Sequence, residues 1–404
     1  MTKRTALKEI AIVGASLAGL RTAEALRAQG YDARITLIGD ETSQPYDRPP
    51  LSKEVLSGKW EAERTLLRRD GLDDLGLDLR LGVGVQALDT AARRLVLADR
   101  SELSFDGLVI ATGARARRLP NQPTLDGLFT LRTLDDAVAI RAAITAGSPR
   151  VAVIGAGFIG AEVAASCRGL ELDVAMIEVA DVPMARLLPR EIGEVVASMH
   201  RDRGVDVRLG VGVDGFVGED RVTGVRMQDG SIVHADVVVV GVGAIPATEW
   251  LAGSGLTIDD GVVCDDRCRA GDRIVAAGDC ARWMSRRAGK TVRSEHWTNA
   301  VDQAVVAADA LLNGDAAAHY DPIPYVWSDQ YGVKIQIAGR PSADDAVHIV
   351  HGDPADLRFV ALLSQGDRLT GCIGMRRARF VMEYLELLER DASLGEALEV
   401  AGTL

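Results

Sequence analysis

Residues 150–178 read RVAVIGAGFIGAEVAASCRGLELDVAMIE, and residues 9–39 read EIAIVGASLAGLRTAEALRAQGYDARITLIG. Each is a short apolar strand, a glycine turn, an amphipathic helix and a second apolar strand. That order is the βαβ unit of dinucleotide binding. The first glycine permits the tight turn, the second lets backbone approach a pyrophosphate, and the third lets helix and strand pack closely. The helix N-terminus then meets the phosphate charge. The later copy is complete, with Gly155, Gly157 and Gly160, and with Phe158 and Ile159 beginning the helix. In the earlier copy Gly14 and Gly19 enclose Ser16, Leu17 and Ala18. Serine is the next smallest polar residue, so this turn is expected to keep its ligand. A lone glycine motif is compatible with a bare turn; two in full βαβ context point to two bound dinucleotides.

An acidic residue follows each second strand. Glu178 suits a ribose 2′-hydroxyl and repels a 2′-phosphate, and Val179 and Ala180 beside it offer no cation, so NADH is expected over NADPH. In the earlier unit Asp40 and Glu41 are both candidates for a ribose, and the choice between them stays open. The usual arrangement of such a pair is FAD at the first unit and NAD(H) at the second.

Working outward, 404 residues are too many for one ordinary core. With 47% hydrophobic and 26% charged residues the chain has globular composition. A net charge of −12 disfavours nucleic acid as a partner. No uncharged apolar run reaches membrane-spanning length, and MTKRTALKEI has no apolar leader core. The five cysteines are irregularly spaced, without a CxxC pair, which reads as reduced thiols in a cytoplasmic protein.

Further punctuation points to a flavin. LVIATGARARRLP (108–120) is a buried strand ending in Ala111, Thr112 and Gly113, and VVVVGVGAIPAT (237–248) is another, with Gly243 in its turn. Both are expected to cross between nucleotide domains. RIVAAGDCARW (273–283) places Gly278 and Asp279 just past a strand. Asp279 there suits a ribityl hydroxyl, and a helix N-cap is its competing reading.

GASLAG, PYDRPPLSK, ATGA, GAGFIGAE, AAGDCA and SEHWTNA occur in this order. Together they resemble the FAD-dependent NADH:ferredoxin reductases of bacterial oxygenase systems, whose relatives include putidaredoxin and rubredoxin reductases and the apoptosis-inducing factors. The resemblance covers nearly the whole chain. It is specific in PYDRPPLSK (45–53) and SEHWTNA (294–300) and generic in the glycine turns. It implies an α/β, glutathione-reductase-like fold with two Rossmann-type nucleotide-binding domains and an α+β C-terminal domain.

The resemblance also assigns roles. Arg48 would approach the FAD phosphate or ribose, with Pro49 stiffening the backbone beside it. Lys53 would lie near the reactive edge of the isoalloxazine, where a cation favours the reduced ring. Glu162 would pair with Lys53 near the nicotinamide; a carboxylate favoured by the helix dipole is its competing reading. Glu295, His296 and Trp297 would contact the flavin from the far side. His296 is not needed as a base, because hydride transfer to a flavin requires none. Trp327 would stack on nicotinamide or lie on the electron exit path, a plain core residue being the competing reading.

Dithiol reductases of this fold carry a redox cysteine pair near the first nucleotide unit, but here the first cysteine is Cys167. Electrons are therefore expected to leave for an external one-electron carrier, which the resemblance implies is a [2Fe-2S] ferredoxin serving a monooxygenase or Rieske dioxygenase. A rubredoxin reductase, or an NADH-responsive flavin interaction protein, is the alternative. An acidic ferredoxin needs a basic dock, for which Arg376, Arg377 and Arg379 are preferred over Arg115, Arg117 and Arg118. A monomer or weak homodimer is expected. The expected domains are 1–115 with 243–320 for FAD, 116–242 for NADH, and 321–404 at the C-terminus, whose last stretch (380–402) reads as helical.

Overall fold

A computed structural model describes residues 7–403. Most of the N-terminal stretch read for a leader, residues 1–6, lies outside the described residues. The chain divides into two compact units. The first comprises Met1–Asp47, Glu63–Arg115 and Ile245–Pro322, and the second Arg48–Ala62, Ala116–Ala244 and Ile323–Leu404.

The first unit is built on a six-stranded sheet. Its strand order is Arg269–Gly271, Ile274–Ala276, Gly107–Ile110, Glu9–Val13, Arg34–Ile38 and Leu77–Arg80. All neighbours are parallel except the first pair. The Glu9–Val13 strand lies inside the sheet, and its apolar run Ile10–Val13 is buried on both faces, as in a doubly wound sheet with covered faces. Helices Leu17–Ala28 and Trp297–Asn313 pack in the same core.

In the second unit, strands Asp206–Arg208, Val174–Ile177, Val151–Ile154, Val237–Val240 and Leu128–Thr130 form a parallel sheet in that order. A five-stranded antiparallel sheet follows, beginning at Tyr325–Gln330 and Val333–Gly339. One face, through Val333, Ile335 and Phe359, shares a core with Val163, Ile192 and Val196 of the nucleotide unit. The other face buries Val381 and Tyr384 of helix Ala378–Glu389.

The C-terminal stretch read as helical contains two helices, Ala378–Glu389 and Leu394–Ala401. Asp391 takes φ +53°, and Ser393 opens the second helix with a capping box to Glu396. Asp279 also differs from one expectation. The turn after Gly278 leads into strand Ala281–Ser285, so no helix follows for it to cap.

His200 is fully buried in helix Arg190–Arg201, between Gln330 Oε1 and the Tyr331 hydroxyl, each at 2.9 Å. Burial, with Arg203 adding to it, pushes this imidazole down from 6.5 to about 4, against the opposing Gln330 bond. The unfolded chain therefore binds a proton near pH 6.5 that the folded protein refuses until about pH 4. This contribution is whole above pH 6.5 and is lost as pH falls through that window, about 3 kcal/mol in all. Denaturant titrations at pH 7 and pH 4.5 are expected to show the loss, and His200→Gln to remove that component. Equal pH slopes in the two proteins would overturn it.

Candidate active site

The two glycine turns are superimposable in their bonding. Gly14 N–H donates to Ile38 O and Gly155 N–H to Ile177 O, both at 2.7 Å. Ala111 N–H donates to Val13 O, and Gly241 N–H to Ile154 O, again both at 2.7 Å. Gly14 and Gly155 have φ +114° and +99°, which side chains rarely adopt. A Cβ on Gly19 would sit 1.9 Å from Gly14 O, and one on Gly160 would sit 1.9 Å from Gly155 O. These glycines are demanded by the protein's own packing.

Gly157 is different. Its φ is −74°, and a Cβ there would meet nothing within 4 Å. The fold does not need glycine at this position, so the open space above the turn is where a phosphate group fits. Ser16, the equivalent in the first unit, has its side chain free of any capping bond to its helix. Gly157→Val is therefore expected to weaken NADH binding at least about tenfold with an unchanged melting temperature, whereas Gly160→Ala disrupts folding. Nucleotide titration alongside thermal denaturation separates the two; parallel loss of stability in both variants would contradict it.

Glu178 ends its strand with both carboxylate oxygens held. Oε2 accepts from Ala156 N–H at 2.7 Å and Oε1 from Ala180 N–H at 3.0 Å. It is thus fixed beside the glycine turn. In the first unit Glu41 accepts from the Tyr46 hydroxyl at 2.5 Å, while Asp40 is exposed. Thr112 Oγ1 donates to Ala247 O at 2.7 Å, bringing the strand end at Ala111 and Gly113 to the returning chain. Gly278 N–H donates to the buried Gln303 side chain at 2.9 Å, and a Cβ on Gly278 would crowd Ala18 at 2.9 Å. His296 accepts the first helical bond from Ala300 N–H through its carbonyl, and Trp297 begins the helix. Glu295 pairs with Arg293 at 2.6 Å.

PYDRPPLSK divides between the units. Tyr46 and Asp47 belong to the first, where Asp47 accepts from Trp297 Nε1 at 2.7 Å. The two most family-specific stretches thus meet, Asp47 of one against Trp297 of the other. Arg48, Pro49 and the residues to Lys53 belong to the second unit. There Arg48 donates to Arg132 O at 2.6 Å, and Leu51–Val55 forms one π-helical turn behind Pro50.

That turn sets Lys53 Nζ 2.8 Å from Glu162 Oε2. Glu162 is 3% exposed and lies in the first turns of helix Phe158–Gly169, behind Phe158 and Ile159. Its carboxylate also accepts from Ser52 Oγ at 2.5 Å, Ser328 Oγ at 2.8 Å and Asp329 N–H at 3.3 Å. A buried charge so fully paired is a fixed structural feature. Ser52, Ser328 and Asp329 were not legible as site residues: serine and aspartate in a helical turn or strand carry no signal until packing brings them to a carboxylate. Trp327 shares the Ser328 strand, its ring 6.1 Å from Tyr325 and 6.0 Å from Lys334 Nζ. Just past strand Val237–Val240, Gly243 takes φ +103° with open space at its Cβ position.

Residues 8–304 match the pyridine nucleotide-disulphide oxidoreductase family, and residues 325–400 match the reductase C-terminal family. The chain belongs to the pyridine nucleotide-disulphide oxidoreductases. It is 39% identical to rhodocoxin reductase of Rhodococcus erythropolis, over 95% of this chain and 90% of that one. It is equally identical to the ferredoxin–NAD(+) reductase component of the anthranilate 1,2-dioxygenase system of Burkholderia cepacia, over 97% and 94%. Among solved structures, the covalent putidaredoxin reductase–putidaredoxin complex matches with a TM-score of 0.91 and 34% identity, covering 96% of this chain and 94% of that chain. The fold is that of the glutathione-reductase-like enzymes with a C-terminal reductase domain, and this flavoprotein oxidoreductase family works with FAD and NAD(H).

The family takes its name from disulphide chemistry, but this member has no exposed thiol among the described residues. All five cysteines are free and buried. Burial pushes the Cys167 and Cys372 thiols up to about 12 and raises the other three. Such thiols are not nucleophiles at neutral pH. No helix among the described residues is long and apolar enough to cross a membrane.

Proposed function

We propose that this protein is an NADH-dependent, FAD-containing reductase that delivers electrons singly to a [2Fe-2S] ferredoxin serving an oxygenase. The observation that carries this reading is the Lys53–Glu162 pair, its carboxylate buried and held by three further donors, in a chain whose relatives are ferredoxin reductases. Bound FAD supplies the conversion of a hydride pair into two single electrons, which neither NADH nor a side chain can perform.

The protein's own residues divide the work. The turns at Gly14–Gly19 and Gly155–Gly160 cradle the two pyrophosphates, with Asp40 or Glu41 on the FAD ribose and Glu178 on the NADH ribose. Arg48, Ala111–Gly113, Gly278 and Asp279 line the flavin nucleotide, and Glu295, His296 and Trp297 its other side. Lys53 presents positive charge to the ring, and Glu162 keeps that ammonium in place. Trp327 borders the nicotinamide side. This assignment corresponds to an FAD domain of 1–115 and 243–320, an NADH domain of 116–242 and a C-terminal domain from 321. Five buried unpaired thiols support a reducing, cytoplasmic setting.

For the ferredoxin we favour the Arg376–Arg379 cluster. Arg376 and Arg379 are exposed, and Arg377 lies over the Phe380 ring at 5.5 Å. Each cluster has one ion-paired member, Arg115 with Glu249 at 2.6 Å and Arg379 with Glu383 at 3.1 Å, so the preference rests on the resemblance, in which the C-terminal domain meets the partner. Charge steering makes ferredoxin reduction fall steeply with salt. Arg376→Glu with Arg379→Glu is expected to cut its rate about tenfold or more at low salt and to flatten that dependence. A variant with wild-type salt dependence would remove this dock.

The decisive experiment is anaerobic stopped-flow at the flavin absorbance, with NADH or NADPH mixed first and a [2Fe-2S] ferredoxin second. Rapid bleaching by NADH followed by reoxidation on ferredoxin is expected. Bleaching that ferredoxin cannot discharge would overturn the reductase reading.

A further inference from the structure

Behind Glu162 and Ser328 runs a polar chain through Gln330, His200 and Tyr331 that the site as described does not include. The Tyr331 hydroxyl lies 2.9 Å from His200 Nδ1, and His200 Nε2 lies 2.9 Å from Gln330 Oε1. Gln330 Nε2 donates to Ser328 Oγ at 3.1 Å, and Ser328 Oγ donates to Glu162 Oε1 at 2.8 Å. His200, Gln330 and Ser328 are each wholly buried.

The direction of every bond follows from chemistry. A carboxamide oxygen only accepts, so His200 carries its proton on Nε2. The neutral ring then accepts at Nδ1, and Tyr331 must donate there. A carboxamide nitrogen only donates, so the Ser328 oxygen accepts from Gln330. Its single proton is left for Glu162. All donors therefore point toward the carboxylate, and bonds in such a line strengthen one another. The neighbouring positions Val333, Ile335 and Val196 show that this core accepts aliphatic residues freely. Packing alone gives no reason for histidine, glutamine and serine here. Nor can the line carry protons, because a carboxamide does not relay them.

We propose that Gln330 and His200 are positioning residues for hydride transfer: they lock the Ser328 hydroxyl onto Glu162 Oε1, which leaves Oε2 aimed at Lys53. The proposal rests on the reading of Lys53 and Glu162 as the reactive pair. It extends the site into the join between the Arg190–Arg201 helix and the Tyr325–Gln330 strand.

The test is a double-mutant cycle on the FAD-loaded full chain. Gln330→Met keeps the shape of the side chain and removes its hydrogen bonds. It is expected to slow the limiting rate of flavin reduction by NADH about tenfold, with FAD content and NADH half-saturation unchanged. In a Glu162→Ala background the same substitution is expected to change nothing further. A wild-type rate in Gln330→Met, or an equal slowing in both backgrounds, would overturn the proposal. Should Gln330→Met not fold, Tyr331→Phe, which removes only a hydroxyl, is run through the same cycle with a smaller slowing expected. Failure of the unsubstituted protein to be reduced by NADH would remove the reductase reading, and this proposal with it.

Discussion

Glu162→Ala is expected to slow flavin reduction by NADH about a hundredfold, or ~2.7 kcal/mol in the barrier, with FAD retained. The carboxylate is the acceptor for Lys53, Ser52, Ser328 and the Asp329 amide together. Truncating it leaves an ammonium that is 14% exposed without its counter-charge, a loss of about 3–5 kcal/mol when a buried pair is broken. Lys53 relieves part of this by turning toward solvent, and in doing so abandons the position from which, in the proposed assignment, its charge favours a reduced ring. The FAD phosphates and ribose, in the proposed assignment, are held by the first unit's turn and its acidic pair, so FAD occupancy is insensitive to this change. Stopped-flow reduction and the ratio of flavin to protein absorbance measure the two quantities separately. Equal rates in mutant and wild type, or loss of FAD equal to the loss of rate, would sink the assignment. Glu162→Gln keeps the acceptor oxygen for Ser328 but not the charge for Lys53. It is expected to fall between wild type and Glu162→Ala.

The second large effect is in coenzyme choice. Glu178→Arg is expected to swing the ratio of kcat/KM for NADH over NADPH by about a hundredfold or more toward NADPH. The carboxylate is pinned by the Ala156 and Ala180 amides, so it cannot rotate away from an incoming 2′-phosphate. Like charges held about 4 Å apart near a protein surface repel by roughly 4 kcal/mol, and reversing the sign turns that repulsion into attraction. Val179, 70% exposed, leaves room beside it for the guanidinium. The first unit should be indifferent to the change. Steady-state kinetics with both coenzymes reads the swing; unchanged discrimination would show that Glu178 does not face the ribose.

Much of the fold was legible because its determinants are local. A glycine whose Cβ would strike a carbonyl five residues away, as at Gly19 and Gly160, is a constraint written within one turn of chain. The same holds for the alternation of short buried strands with amphipathic helices, and for the acidic residue closing each second strand. The break near Asp391 was also written locally, in the Ser393–Glu396 capping box, and continuous periodicity across it hid the signal.

The sequence by itself therefore determined two nucleotide-binding βαβ units, the acidic residue after each second strand, the absence of a CxxC pair and the family, since each follows from steric or chemical rules acting over a few residues or from strings of residues in order. Only the tertiary structure decided what surrounds the Lys53–Glu162 pair. The donors to Glu162 come from separations of 110 and 166 residues, and the Asp47–Trp297 bond spans 250. Nothing in Ser52, Ser328 or His200 announces a partner at such distances. A buried polar group is satisfied by whichever segment packing brings to it, and packing is a property of the whole folded chain.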